Sequence, residues 1–172
     1  TEANKSISKG NGCRGRPLGR NPGNFFYFCA VARIIGIDYG TKRTGIAVSD
    51  PLQIIASGLD TIPTHQVLDF LTRYMAEEEV EIIVVGEPKY PDGSPAQIAH
   101  LVVGFVRQLQ RAFPQVKIAM QDERFTSEEA KDVIRQVGVG KQKRRDKSLV
   151  DKVSATIILQ NFMEKHRYSL NR

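Results

Sequence analysis

The run Ile34-Ile35-Gly36-Ile37-Asp38-Tyr39-Gly40-Thr41-Lys42-Arg43-Thr44-Gly45-Ile46-Ala47-Val48-Ser49 constrains this chain more than any other segment. An apolar strand ends in one carboxylate, Asp38. A glycine-bearing turn follows with two cations, Lys42 and Arg43, and a second β-rich strand returns. Glycine on both sides of the acid lets backbone and ligand approach closely. Taken alone, the segment supports two interpretations. Asp38 either opens a hairpin turn, as Asp and Gly favour, or serves at the centre of a sheet as a ligand for a hard divalent cation.

The pattern that follows is regular from Arg33 onward. Strands are expected over 33–39, 44–49 and 54–62, with Gly58 marking a bulge in the third. Val67, Leu68, Leu71, Tyr74 and Met75 have helical spacing within 64–76. Ile82 to Gly86 is a short continuous apolar run, the signature of a strand buried on both faces. A second helix is expected over 95–113, with Ile98, Leu101, Val102, Phe105 and Leu109 inward, then a strand over 116–121 and helices over 127–137 and 149–165. Short links make the first three strands an antiparallel meander. The later two join parallel to the first through right-handed helical crossovers. The expected class is α/β, a five-stranded mixed sheet of three antiparallel and two parallel strands, with helices on both faces.

A chain of 172 residues is long enough for one domain with a sizeable core. Its net charge of +6 is unevenly placed. Lys5, Lys9, Arg14, Arg16 and Arg20 against Glu2 put most of it in residues 1–32, so any nucleic-acid argument rests on local clusters. Residues 1–24 lack periodicity, 1–32 read as a disordered basic tail, and 33–168 as the folded domain. No initiating Met precedes the tail. It reads as sequence foreign to the domain, as a basic organellar presequence, or as a nucleic-acid-binding arm, and the abrupt onset of periodicity at Arg33 favours the first. The apolar stretch from Phe25 to Ala32 is too short to span a bilayer, so no membrane partner is expected. Cys13 and Cys29 both precede the domain, which excludes a disulfide framework or a thiolate zinc site within it. His65, His100 and His166 lack close metal-ligand spacing. A reducing, cytoplasmic setting is the simplest expectation.

Three further acids compete for attention. In Asp122-Glu123-Arg124-Phe125-Thr126-Ser127 a strand gives way to a helix, and ligand sites gather at the carboxyl ends of parallel strands. Alternation puts Lys117, Ala119, Gln121 and Glu123 on one face and Asp122 on the other. The alternative is that these acids favour a helix N-terminus. Asp151 lies in Ser148-Leu149-Val150-Asp151-Lys152-Val153-Ser154-Ala155, where Ser148 and Asp151 have the spacing of a capping box with Ser148 as N-cap. Ser154 and Ala155 lie a turn further on. Their small side chains allow the helix to approach the sheet and deliver Asp151 to the strand ends. Glu87, in Val85-Gly86-Glu87-Pro88-Lys89, either joins the same acids or pairs with Lys89 or Lys42. Carboxylates converging without thiols or clustered imidazoles suit Mg²⁺ or Mn²⁺, and two such ions can serve phosphodiester hydrolysis.

Taken in order, Gly36-Ile37-Asp38-Tyr39-Gly40-Thr41-Lys42-Arg43-Thr44-Gly45, Val85-Gly86-Glu87-Pro88, Asp122-Glu123-Arg124-Phe125-Thr126-Ser127 and Asp151-Lys152-Val153-Ser154-Ala155 resemble the YqgF/RuvX family. Its members carry the names pre-16S rRNA nuclease and Holliday junction resolvase. The resemblance covers about residues 33–165. It implies a ribonuclease H-like fold and a bacterial cytoplasmic nuclease that processes the 5′ end of small-subunit rRNA, with the family's acids at Asp38, Glu123 and Asp151. Glu87 departs from it, since many relatives are apolar there, and residues 1–32 are unexplained by it.

Gly138 to Lys147 is a glycine-hinged loop bearing Lys141, Lys143, Arg144, Arg145 and Lys147 against Asp146. It is either a solvated charge run or, bordering the acids, a grip on the phosphate backbone. Lys42, Arg43 and Arg124 could add contacts, and Tyr39 or Phe125 could stack on an unpaired base. The expected partner is nucleic acid, structured RNA ahead of branched DNA. The active form is a monomer or a homodimer, a junction-cutting enzyme needing paired sites. Two other classes compete. An ATP-dependent phosphotransferase shares the strand–Asp–x–Gly–Thr turn but needs two such domains. A non-catalytic rRNA-binding assembly factor would keep the acids for folding alone.

Overall fold

The computed structural model describes residues 32–90, 92, 94, 96–122, 132 and 146–170. Five strands form one sheet: β1 (Arg33–Tyr39), β2 (Arg43–Ser49), β3 (Ala56–Pro63), β4 (Val80–Glu87) and β5 (Lys117–Asp122), in the order β3-β2-β1-β4-β5. β1 pairs antiparallel with β2 and β2 with β3, while β4 runs parallel to both β1 and β5. This is the expected mixed sheet. Three helices are described, α1 (Val67–Glu77), α2 (Ala99–Ala112) and α3 (Lys147–Leu170). The expected helix over 127–137, Asp132 excepted, and the basic tail fall outside the described residues.

Alternation along each strand divides the core in two. Ile35, Ile37, Ile83 and Val85 face α1 and α2, meeting Val67, Leu71, Val102, Phe105 and Leu109. Ile34, Ala47, Ile82 and Val84 face α3, meeting Ala155, Ile158, Leu159 and Met163. Both faces of β1 and β4 are therefore buried, which is why those strands read as unbroken apolar runs. In β3, Ile46 opposes Asp60 but Ala47 opposes Gly58. Leu59 is the extra residue of a bulge beside Gly58, as that glycine suggests.

Helix boundaries differ from expectation for local reasons. Residues 64–66 form a single 3-10 turn before α1. The segment after Pro95 makes turn hydrogen bonds, with Ala96 O accepting from Ala99 N, before α2 begins. α3 starts at Lys147 rather than 149 because Asp146, not Ser148, is its N-cap. The Ser148 N–H donates to Asp146 Oδ1 at 2.9 Å. Hydrogen bonds from Ser148, side chain first, hold the Asp146 carboxyl below its ordinary range. The expected capping box is thereby corrected: Asp151 has no capping duty, and its carboxylate is available elsewhere.

Candidate active site

Asp38, next to last in β1, and Glu87 and Asp122, the last residues of β4 and β5, lie at one edge of three parallel strands. The pleat then separates them. Asp38 follows Ile37 and points to the α3 face. Its cross-strand partner is Gly45, and Gly45 in turn pairs with Thr61 on β3. A Cβ at Gly45 would collide with the backbone carbonyl of Asp151. Two residues further in, a Cβ at Gly36 would lie 2.6 Å from Leu159 Cβ. The missing side chains let α3 settle against the sheet, and the small, buried Ser154 and Ala155 answer them from the helix. Thr61 Oγ1 donates to Ser148 O at 2.7 Å and pins the first turn of α3 in place. Asp151 is thus delivered beside Asp38, as the small residues of its helix suggest.

The electrostatics follow from that delivery. Burial raises the Asp38 pKa first and the nearby Asp151 charge raises it further, to about 7, against a hydrogen bond from Ser154 that favours the anion. Arg43 answers Asp151, with Nε 3.0 Å from Oδ2. Two carboxylates therefore share a site with one guanidinium, and Asp38 keeps its proton close to neutral pH. The turn carrying Arg43 is braced: Gly40 N–H donates to Arg43 O at 3.1 Å and Thr64 Oγ1 donates to Gly40 O at 2.6 Å.

Glu87 is not brought to Asp38. Strand alternation directs it to the α1–α2 face, and Lys89 Nζ lies 2.9 Å from its Oε2 and 3.6 Å from Asp122 Oδ2. Its expected place among the acids is corrected in favour of the pairing with Lys89. On β5 the alternation holds as far as the strand is described, Ala119 packing on the α3 side and Asp122 pairing on the other. Glu123, Arg124, Phe125, Lys141, Lys143, Arg144 and Arg145 lie outside the described residues. Among the described residues no group of three metal-ligating side chains forms. Lys42 and Lys147 are exposed. Tyr39 stacks on Phe105, ring centroids 4.6 Å apart. Sequence reasoning missed the hydroxyl role of Ser154, seen only as small, and the pairing of Arg43, taken only as a nucleic-acid contact. Nothing local signals either, because each partner lies on a distant element.

A family model described as "RuvX: Holliday junction resolvase" matches residues 32–165. The chain belongs to the RuvX family. Among relatives, it is 49% identical over 138 residues to a protein of Flavobacterium johnsoniae named "Putative pre-16S rRNA nuclease", covering 80% of this chain and 100% of the relative. A protein of the same name from Bacteroides thetaiotaomicron is 47% identical over 138 residues, again 80% of this chain and 100% of the relative. Among solved structures, the fold is similar to the fowlpox virus resolvase crystallised with Holliday junction DNA. The TM-score is 0.50 at 12% identity, over 78% of this chain and 98% of that one. The RuvX chain thus has the ribonuclease H-like α/β fold that the resemblance implied. No helix of the described residues is long and apolar enough to cross a membrane.

Proposed function

We propose that this RuvX protein is a divalent-metal-dependent nuclease that hydrolyses phosphodiester bonds of structured RNA, acting at the 5′ end of pre-16S rRNA. The observation that carries the reading is the Asp38–Asp151 pair at the carboxyl edge of the sheet, with Asp38 pushed up to about 7. Two acids forced together call for more positive charge than Arg43 supplies. The pair offers only oxygen, which fits Mg²⁺ or Mn²⁺. Asp38 and Asp151 would hold the metal, joined by Glu123, which the sequence alternation assigns to the same face. A bound divalent ion would supply Lewis acidity and a more acidic water.

The chain's own residues do the rest. The Ser154 hydroxyl fixes the Asp38 carboxyl, Thr61 and Gly45 set the depth of Asp151, and Arg43 holds Asp151 in place. Lys42, Lys147, Arg124 and the loop cations Lys141, Lys143, Arg144 and Arg145 would grip the phosphate backbone, a sequence-independent contact that weakens with salt. RNA is favoured over a DNA junction because relatives matched over their whole length carry the rRNA nuclease name. One cut in one strand needs a single site, so a monomer suffices. Residues 1–32 are dispensable in this reading, and the protein works in the cytoplasm.

The test sets a precursor rRNA fragment beside a four-way DNA junction, each with Mg²⁺ and with chelator, for the parent and Asp38→Asn. Mg²⁺-dependent cleavage of the RNA by the parent alone is expected. Selective cleavage of the junction, for which the family is described, would move the substrate to DNA. Binding without cleavage of either would leave an assembly factor.

A further inference from the structure

Tyr39 is the residue after Asp38, and the pleat turns it to the opposite face of the sheet. There a pocket of about 540 Å³ opens between the β1–β2 turn, the 3-10 turn after β3 and α2. Its wall carries the stacked rings of Tyr39 and Phe105, and Lys42, His65 and Gln108 complete it with polar groups. Phe105 is buried and fixes the plane of the tyrosine. Lys42, His65 and Gln108 are exposed, so they add ligand-facing groups that the core does not consume. The two turn cations differ. Arg43 is held by Asp151, whereas Lys42, among the described residues, has no acid partner.

We propose that this pocket takes one nucleotide, its base against the Tyr39–Phe105 pair and its phosphate at Lys42, and that the nucleotide is an unpaired residue of the strand being cut. The proposal deepens the nuclease reading and rests on it for the source of the nucleotide. Three observations carry it. An aromatic platform accepts any base by stacking. A cation, an imidazole and a carboxamide beside it match phosphate and base edges. The pocket also shares its strand end with the acids, so a chain lying across the sheet edge meets Asp38 on one side and Tyr39 on the other. A base can enter only if unpaired, which makes the site a reader of single-stranded or bulged segments.

The experiment uses an RNA oligomer carrying 2-aminopurine at one unpaired position, titrated with the full chain in chelator so that no cleavage occurs. The parent should quench the probe on binding. Tyr39→Phe should keep the quenching, and Tyr39→Leu should lose it and bind about five-fold weaker or more. Lys42→Ala should weaken binding and lower the magnitude of the salt slope by about 0.7. Melting curves of each variant identify loss of fold, and His65→Ala, at an exposed position, gives a second weakened variant that keeps the core. Unchanged fluorescence on binding by the parent overturns the proposal, as does equal quenching and affinity in folded Tyr39→Leu. Displacement by adenosine monophosphate at concentrations comparable to the oligomer would overturn the strand as source and assign the pocket to a free nucleotide. Quenching without any cleavage in Mg²⁺ would sink the nuclease reading and leave the pocket. Cleavage without quenching would do the reverse.

Discussion

The two faces of the sheet are packed by opposite means. Against α1 and α2 the strands present Ile35, Ile37, Ile83 and Val85, met by Leu71, Val102, Phe105 and Leu109. Large side chains hold those helices off the sheet and bury much apolar area, about 1.5–3 kcal/mol for each fully buried residue of this size. Against α3 the carboxyl half of the sheet presents Gly36 and Gly45, met by Ser154 and Ala155. There the backbones themselves come together. The first arrangement yields stability that tolerates some repacking. The second yields placement: Asp151 reaches Asp38 only because nothing stands between helix and strand.

Replacing an acid on each face tests that division with the largest effect. Asp38→Asn should leave no detectable metal-dependent cleavage, whereas Glu87→Gln, paired with Lys89 on the other face, should cleave like the parent. A dead Glu87→Gln would break the division by drawing the α1–α2 face into the chemistry.

Core substitutions come next. Leu109→Ala should cost about 2–5 kcal/mol in denaturant unfolding and leave the activity of each folded molecule unchanged. Gly45→Ala should cost about 1–3 kcal/mol, less than Leu109→Ala, yet abolish cleavage, because the added methyl displaces Asp151. Full activity in folded Gly45→Ala would show that close approach is not what places the acid.

A pH series sharpens the contrast further. Asp38 binds its proton more tightly in the fold, about 7, than when unfolded, 3.8. Its contribution to stability is complete below the unfolded value and is lost as pH rises through 7. In chelator, melting temperature should therefore fall between pH 4 and pH 7 by an amount that Asp38→Asn removes. At pH 8 that variant should melt above the parent. Identical pH profiles for the two proteins would mean that the acids are not in conflict.

The smallest effect is expected at the start of α3. Asp146→Ala removes an N-cap, a small loss measurable in urea unfolding, with little change in cleavage. A loss as large as that of Leu109→Ala would show that the whole α3 face depends on its first turn.

Much of this was written plainly in the chain. β1 and β4 were legible because burial on both sides leaves no polar residue to interrupt them. Asp38 and Asp151 were legible as partners because small residues on α3 announce a close approach. What escaped has a common physical cause. Ser154 read only as a small residue and Ser148 only as a cap, and the docking of α3 gives each another place: Ser154 donates to Asp38, while Ser148 follows the true cap instead of being it. The pairing of Arg43 with Asp151 joins residues 108 apart, a separation that no periodicity encodes. Glu87 could be set among the acids by edge alone, and only the pleat, counted against the packed Val85, removes it.

The distance along the chain between the hairpin and α3 has a consequence for how the protein comes into being. β1, β2 and β3 are joined by short links and can pair as soon as they leave the ribosome, whereas α3 is the last of the described elements to be made. Until it docks, Asp38 lacks the Asp151 carboxylate beside it. In the proposed nuclease the acid pair is therefore the last part of the site to be assembled, and completion of the fold is what brings it together.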